Sequence, residues 1–242
     1  MDVSIVIISY NYAQYIEECI SSCLLQDDTN IKYEVIVIDD GSTDETPIIL
    51  SKLKNKLLSK FRIENSGIEI ASNFGLTKAK GSYIVRVDAD DKLTQSYLHY
   101  IEKNLAPNID FYYSDYQIIN SNEQVIGQMN LPKFDINEIL KRGDFLATGT
   151  LYSSKLLRYY GYYLEGIKNS GLENYELILR LIKDKKLGKH IPHYLFFYRR
   201  HGLNISIKQG HEITKNGKAL FQKLGLDTYT TNEYHPYNPP EI

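Results

Sequence analysis

The chain alternates short, almost unbroken apolar runs with stretches in which apolar residues recur every three or four positions. Val3 to Ile8 has the pattern of a strand covered on both faces in a parallel sheet. It stops at Ser9-Tyr10-Asn11, after which Ile16, Cys19, Ile20, Cys23 and Leu24 follow at helical spacing, with Asn11 the expected N-cap. A second run, Tyr33 to Ile38, begins after the length of a right-handed strand-helix-strand unit and ends at Asp39-Asp40-Gly41-Ser42. Thr43-Asp44-Glu45 and Pro47 then start a helix carrying Ile48, Ile49, Leu53 and Leu57. Phe61 to Ile63 is expected as a short strand and Gly67 to Ala79 as a helix bounded by Gly81. Tyr83 to Val87 is a further strand, running into Asp88-Ala89-Asp90-Asp91.

Beyond Leu93 the pattern loosens toward α+β. A helix is expected over Tyr97 to Leu105, then an antiparallel pair, Phe111 to Ile119 and Gln124 to Met129, turning at Asn120-Ser121-Asn122. Short helices near Ile136 to Leu140 and Lys155 to Tyr160 precede a stronger one from Leu172 to Lys183, a strand over His193 to Tyr198 and a helix over Ile213 to Leu224. Thr228 to Ile242, rich in Tyr, Asn and Pro, is expected to be loosely held or docked on a partner. The fold class is therefore α/β, a mostly parallel central sheet flanked by helices with a C-terminal helical tail.

Composition narrows the partners more than the fold. With 28 Lys and Arg against 30 Asp and Glu, the chain lacks the basic excess of a non-specific nucleic-acid binder, and nucleic acid is not expected as a partner. Its apolar runs are far shorter than the roughly 20 residues that span a bilayer. Met1-Asp2 leads directly into the first run without the pattern of a signal peptide, so a cytoplasmic protein is expected. Cys19 and Cys23, four apart on a helical pattern, are expected as a buried thiol pair.

Three strands end in polar or acidic clusters, at the edge where open parallel sheets bind ligands. Turn chemistry accounts for any one cluster alone, but poorly for all three. Asp88, Asp90 and Asp91 place three carboxylates within four residues. A divalent cation relieves that repulsion and can bridge to a diphosphate, while a solvated acidic loop is the competing account. Asp39-Asp40 adds acceptors at the same edge, where a carboxylate can accept the N3–H of uracil, and Tyr10 could stack on a base. The first turn lacks both Gly-x-Gly-x-x-Gly and a Walker-type Gly-Lys-Ser/Thr, which disfavours a Rossmann dehydrogenase and a P-loop NTPase.

These motifs, in this order, resemble the family 2 glycosyltransferases of the GT-A fold over about residues 1 to 206: Val3 to Asn11, Asp39-Asp40-Gly41-Ser42-Thr43-Asp44, Asn65-x-Gly67 with Ala71-x-Asn73-x-Gly75, Gly81-x-Tyr83, Asp88-x-Asp90, Leu172 to Leu177 with Arg180, and Tyr198-Arg199-Arg200-His201. The resemblance implies a donor half at 1–92, an acceptor half at 93–206 and an appended helix and tail at 207–242. It implies that Asp39 holds the nucleotide base, that Ile8, Ser9 and Tyr10 line its pocket, and that Asn65, Gly67 and Asn73 shape the adjoining wall. Asp88, with Ala89 beside it, would reach the ribose or a Mn²⁺ or Mg²⁺ ion, Asp90 would be the principal metal ligand, Asp91 would assist it or orient a donor hydroxyl, and His201 would contact the metal or diphosphate. The implied reaction is inverting transfer from a nucleoside diphosphate sugar, expected to be a UDP-sugar, to a glycan or lipid-linked saccharide hydroxyl, which also allows peripheral association with the inner face of a membrane.

The general base of such enzymes lies in a Glu-Asp pair at a helix start. Here the pair reads Glu173-Asn174, and an amide cannot take a proton. Three accounts stay open: Glu173 is the base with Asn174 orienting it or the acceptor; Glu176, on the same helix face, participates; or the chain binds nucleotide sugar and transfers weakly or not at all.

Overall fold

A computed structural model of the chain describes residues 1–226 apart from 143–145, 147, 162, 165, 167, 168, 203 and 205–207. The expected tail from Thr228 lies outside the described residues. In chain order the elements are β1 Val3–Ser9, α1 Ile16–Leu24, β2 Tyr33–Asp39, α2 Thr46–Lys52, β3 Leu58–Arg62, α3 Ile68–Lys78, β4 Tyr83–Asp88, β5 Lys92–Leu93, α4 Tyr97–Asn104, β6 Phe111–Ile119, β7 Val125–Met129, α5 Ile136–Arg142, β8 Leu151–Ser153, α6 Ser154–Tyr160, α7 Glu173–Lys183, β9 Gly188–Arg199 and α8 Gly210–Leu224.

One sheet runs β3-β2-β1-β4-β8-β6-β9-β5, with β7 paired to β6. The first four strands are parallel, as their apolar runs predict, and every residue of β1 is buried. Beyond β4 the sheet is mixed rather than mostly parallel: β8 is antiparallel to both β4 and β6, β9 is parallel to β6, and β5 is antiparallel to β9. Strands of two or three residues carry no periodic signal, which is why β5 and β8 escape a reading of the sequence. The last strand starts earlier than its apolar pattern because His190, Pro192 and His193 interrupt it. The register of β6 on β9 passes from Ser114↔Ile191 to Asp115↔Tyr194, so Pro192, which cannot donate to a ladder, sits in the irregularity.

Register also gathers the edge that matters. Ser9 pairs with Asp39 and Ile8 with Asp88, so the carboxyl ends of β1, β2 and β4 lie side by side. Asn11 does not cap α1, which begins at Ile16. It adopts a left-handed φ of 59°, and its Oδ1 accepts the backbone N–H groups of Thr43 (2.7 Å) and Asp44 (3.3 Å), while Asp44 accepts that of Ala13 (2.9 Å). An asparagine tolerates that conformation and so ties together the loops after β1 and β2. Cys19 and Cys23 are buried free thiols, as expected.

At the opposite end, Ser4 donates to Glu34 (2.7 Å) and accepts the N–H of Gly81 (2.8 Å), and the carbonyl of Gly81 accepts from Ser154. A Cβ at Gly81 would lie 2.5 Å from the backbone nitrogen of Ser4 and 2.6 Å from the carbonyl of Tyr83, atoms that cannot swing aside. Gly81→Ala is therefore expected to cost about 2–3 kcal/mol, read as a lower midpoint in chemical denaturation. An unchanged midpoint would contradict this close approach.

Candidate active site

The gathered strand ends open into a cleft of about 470 Å³. It is lined by Ile8, Tyr10 and the segment Asp88 to Asp91, by Asp40 and Asn65, and by Glu173 and Asn174 from the start of α7. Lys208, Gln209 and Ile213, at and before the start of α8, complete the wall. That helix is packed into the body of the protein, with Phe221 against Tyr175 at 6.0 Å between ring centroids.

Each carboxylate of the acidic segment is held separately. Asp88 accepts the Thr148 hydroxyl (2.8 Å) and stands 3.4 Å from Arg86. Asp90 Oδ2 meets His201 Nε2 (3.0 Å) and the Asn204 amide (3.1 Å). Asp91 accepts the backbone N–H of Arg199 (2.8 Å), and its other oxygen is buried with no hydrogen-bond partner among the described residues. Burial, followed by its acidic neighbours Asp90 and Asp88, pushes the Asp91 pKa well up; burial chiefly raises that of Asp90, against the lowering pull of His201.

Among the described residues, no group of three or more His, Cys, Asp or Glu side chains is arranged to hold a metal ion. A closed protein cage is thus absent from that part of the chain. The oxygen donors fit a hard cation of the Mg²⁺ or Mn²⁺ type, which keeps few protein carboxylates and completes its shell with substrate phosphates and water. The orphaned oxygen of Asp91 is the observation that favours such a charge nearby.

The loop is anchored from behind by Arg199, only 1% exposed. Its Nε donates to the carbonyl of Asp90 (2.8 Å), one arm reaches Glu18 (2.8 Å), and the guanidinium lies 4.6 Å from the centre of the Tyr15 ring. Arg199 thus turns to the Asp90 carbonyl and Glu18 and does not line the cleft.

Glu173 is buried and accepts a hydrogen bond from Arg86 (2.7 Å). Burial raises its pKa above the usual glutamate range, Arg86 opposes this, and Asp88 and Glu69 add to the rise. Asn174 Oδ1 accepts the Tyr163 hydroxyl (2.7 Å). Glu176 does not face the cleft: it forms a bidentate pair with Arg180 (2.7 and 2.9 Å). The approach to α7 is fixed by Glu69, which accepts the backbone N–H groups of Asn169 (2.9 Å) and Ser170 (2.7 Å).

Of the residues singled out from sequence, the cleft unites Ile8, Tyr10, Asn65, Asp88, Ala89, Asp90, Asp91, Glu173 and Asn174. Five others do not reach its wall. Asp39 is turned to the Ser42 N–H (2.9 Å) and Arg62 (2.5 Å), so both its oxygens are engaged, and Asp40 stands at the cleft in its place. Asp40 in turn accepts the N–H groups of Ser66 (2.8 Å) and Gly67 (2.9 Å), which makes Gly67 part of the loop's scaffold. Ser9 is buried and accepts the Asp40 N–H through its carbonyl (2.8 Å). Asn73 exchanges two hydrogen bonds with the Tyr163 backbone (2.8 and 2.9 Å), and His201 sits behind Asp90. Tyr112, Tyr113 and Tyr116 are core residues.

Sequence reasoning misses Arg86, Thr148 and Asn204. Arg86 did leave a signal, a lone cation inside the apolar run of β4.

The sequence matches the model of Glycosyl transferase family 2 over residues 4–160, more than half of its length, and the chain belongs to that family. It is 34% identical over 122 residues to TarS, the poly(ribitol-phosphate) beta-N-acetylglucosaminyltransferase of Staphylococcus aureus, covering 49% of this chain and 21% of that protein. It is 30% identical over 247 residues to the hyaluronan synthase of Pasteurella multocida, covering 96% of this chain and 24% of that enzyme. The chain thus spans less than a quarter of the length of either relative. Residues 1–349 of TarS in complex with UDP-GlcNAc give a TM-score of 0.71 at 21% identity, over 95% of this chain and 68% of that one. The mannosyltransferase PcManGT of Pyrobaculum calidifontis, in complex with GDP-Man and Mn²⁺, gives 0.70 at 19% identity, over 98% and 67%. The fold is accordingly GT-A.

Arg199→Lys keeps the charge but loses the planar fork, and is expected to cost about 2 kcal/mol of unfolding free energy. Faster amide hydrogen exchange at Asp90 and Asp91 should accompany the lower denaturation midpoint, and normal exchange there would refute the anchoring role.

Proposed function

We propose that the chain is an inverting, cation-assisted glycosyltransferase that takes a sugar from a UDP-sugar and places it on a hydroxyl of a glycan or lipid-linked saccharide. The observation that carries this reading is Glu173, buried at a helix start with Arg86 on one oxygen, in the same cleft as Asp88, Asp90 and Asp91. The donor half, 1–92, contributes the floor, and later residues contribute the base and the acceptor side.

Tyr10, which is 43% exposed at the end of β1, offers a ring on which a nucleotide base can stack. Asn65 and Asp40 border that side. Asp90, with Asp88 and Asp91 beside it, would hold Mn²⁺ or Mg²⁺, whose positive charge would stabilise the departing diphosphate. His201 and Asn204 fix the Asp90 carboxyl in place.

Glu173 takes the proton of the attacking hydroxyl through the oxygen that Arg86 does not engage. The hydroxyl oxygen bonds to the anomeric carbon from the face opposite the diphosphate, the bond to the diphosphate oxygen breaks with its electron pair, and the configuration inverts. Asn174, held through its carbonyl oxygen by Tyr163, orients the acceptor and carries no proton. Among the described residues no helix is long and apolar enough to cross a membrane. We place the reaction in the cytoplasm, at the inner membrane face when the acceptor is lipid-linked.

Calorimetric titration with UDP, GDP and CDP, each with and without Mn²⁺, tests the donor assignment. Binding of UDP that depends on Mn²⁺ is expected, and the absence of any nucleotide binding would overturn it. Turnover can be read as UDP release from UDP-N-acetylglucosamine or UDP-glucose, with water as acceptor. Glu173→Gln, which keeps the hydrogen bond to Arg86, should slow release by about 10²–10⁴-fold while UDP still binds, and Asn174→Asp should give no gain. Because the base acts deprotonated and its pKa is raised, the rate should climb with pH through a midpoint above the ordinary glutamate value of about 4.5. A large gain from Asn174→Asp would instead mark the native chain as a nucleotide-sugar binder that transfers weakly.

A further inference from the structure

Arg86 stands where the two sides of the cleft meet. It lies in the middle of β4, between Val85 and Val87, and only 5% of it is exposed. One arm donates to Glu173 Oε1 at 2.7 Å and the other is 3.4 Å from Asp88 Oδ1, so one cation is shared unequally by two carboxylates that line the cleft. The Tyr163 ring lies 5.4 Å from the guanidinium carbon and its hydroxyl holds Asn174, so the residue pair at the start of α7 is braced at both members. Arg86 Nε is buried with no hydrogen-bond partner among the described residues. A guanidinium placed in a desolvated strand at that cost is expected to serve the carboxylates it links.

We propose that Arg86 is a positioning residue for the transfer step: its fork aims Glu173 across the cleft and couples that aim to Asp88 on the donor side. The proposal rests on Glu173 being the base. A planar fork fixes the direction of a carboxylate, which a flexible ammonium does not, and small errors in the placement of a base cost large factors in rate. Arg86 acts through Glu173, so its removal should cost nothing once Glu173 itself cannot accept a proton.

The test is a double-mutant cycle on the full chain, with UDP release from UDP-N-acetylglucosamine or UDP-glucose in Mn²⁺ as the rate and UDP calorimetry as the binding readout. Arg86→Lys and Arg86→Gln are expected to lower kcat by about tenfold or more with the UDP dissociation constant changed by less than about threefold. Arg86→Gln combined with Glu173→Gln should be no slower than Glu173→Gln alone. Should Arg86→Gln fail to fold because Glu173 is stranded, Arg86→Lys and the charge-balanced double variant carry the comparison. Unchanged kcat in the Arg86 variants, or losses that multiply in the double variant, would overturn the role of Arg86 and leave the assigned reaction standing. A wild-type chain that releases no UDP from either donor would overturn the reaction and this role with it.

Discussion

The carboxyl edge of the parallel strands is governed by one constraint: every carboxylate collected there is largely out of water and must find a donor or a cation. Each acidic residue has its own answer. Asp39 has Arg62 and a backbone N–H, Asp40 has two backbone N–H groups, Asp88 has Thr148, Asp90 has His201 and Asn204, and Glu173 has Arg86. These partners come from almost every part of the chain, so compensation of charge at one edge dictates how the second half of the protein folds over the first. Among the described residues two buried carboxylate oxygens here lack a hydrogen bond: Asp88 Oδ1, which has Arg86 at 3.4 Å, and Asp91 Oδ2, where the edge is short of positive charge.

The pair at the start of α7 reads Glu-Asn, and its two members have different partners. With Arg86 bound to Glu173 and Tyr163 bound to Asn174, the two side chains have distinct surroundings: one is a desolvated carboxylate with its ionic partner, the other an amide fixed by a phenol. The first suits proton abstraction and the second suits recognition of a hydroxyl.

Much of the fold was legible because long apolar runs and three-to-four-residue periodicity are local signals. β1, β2, β4, α3, α7 and the β6–β7 hairpin all stand within a few residues of where those signals put them. The acidic segment was legible as well, since three carboxylates in four residues announce themselves. What sequence could not convey was direction. Asp39 and Asp40 are indistinguishable as letters; what separates them is that Arg62 and the Ser42 N–H take the first, while the Ser66 and Gly67 N–H groups take the second. His201 is expected from the sequence to contact the metal or diphosphate, and in the structure its ring meets Asp90 while its backbone N–H donates to Asn204. Arg86 and Thr148 are joined to the site through contacts spanning dozens of residues, and such contacts leave no periodic trace.

β8 is three residues long, yet it covers the flank of β4 with hydrogen bonds, and Ser154 directly after it closes on Gly81. A ribosome therefore delivers the first four parallel strands well before it delivers the residues that seal them. In the interval β4 presents an open, apolar edge, the kind of surface that recruits strands from other chains. The parallel half of the sheet is thus encoded first and finished late, and a nascent chain halted near residue 92 is exposed to aggregation at the strand that bears Arg86 and Asp88.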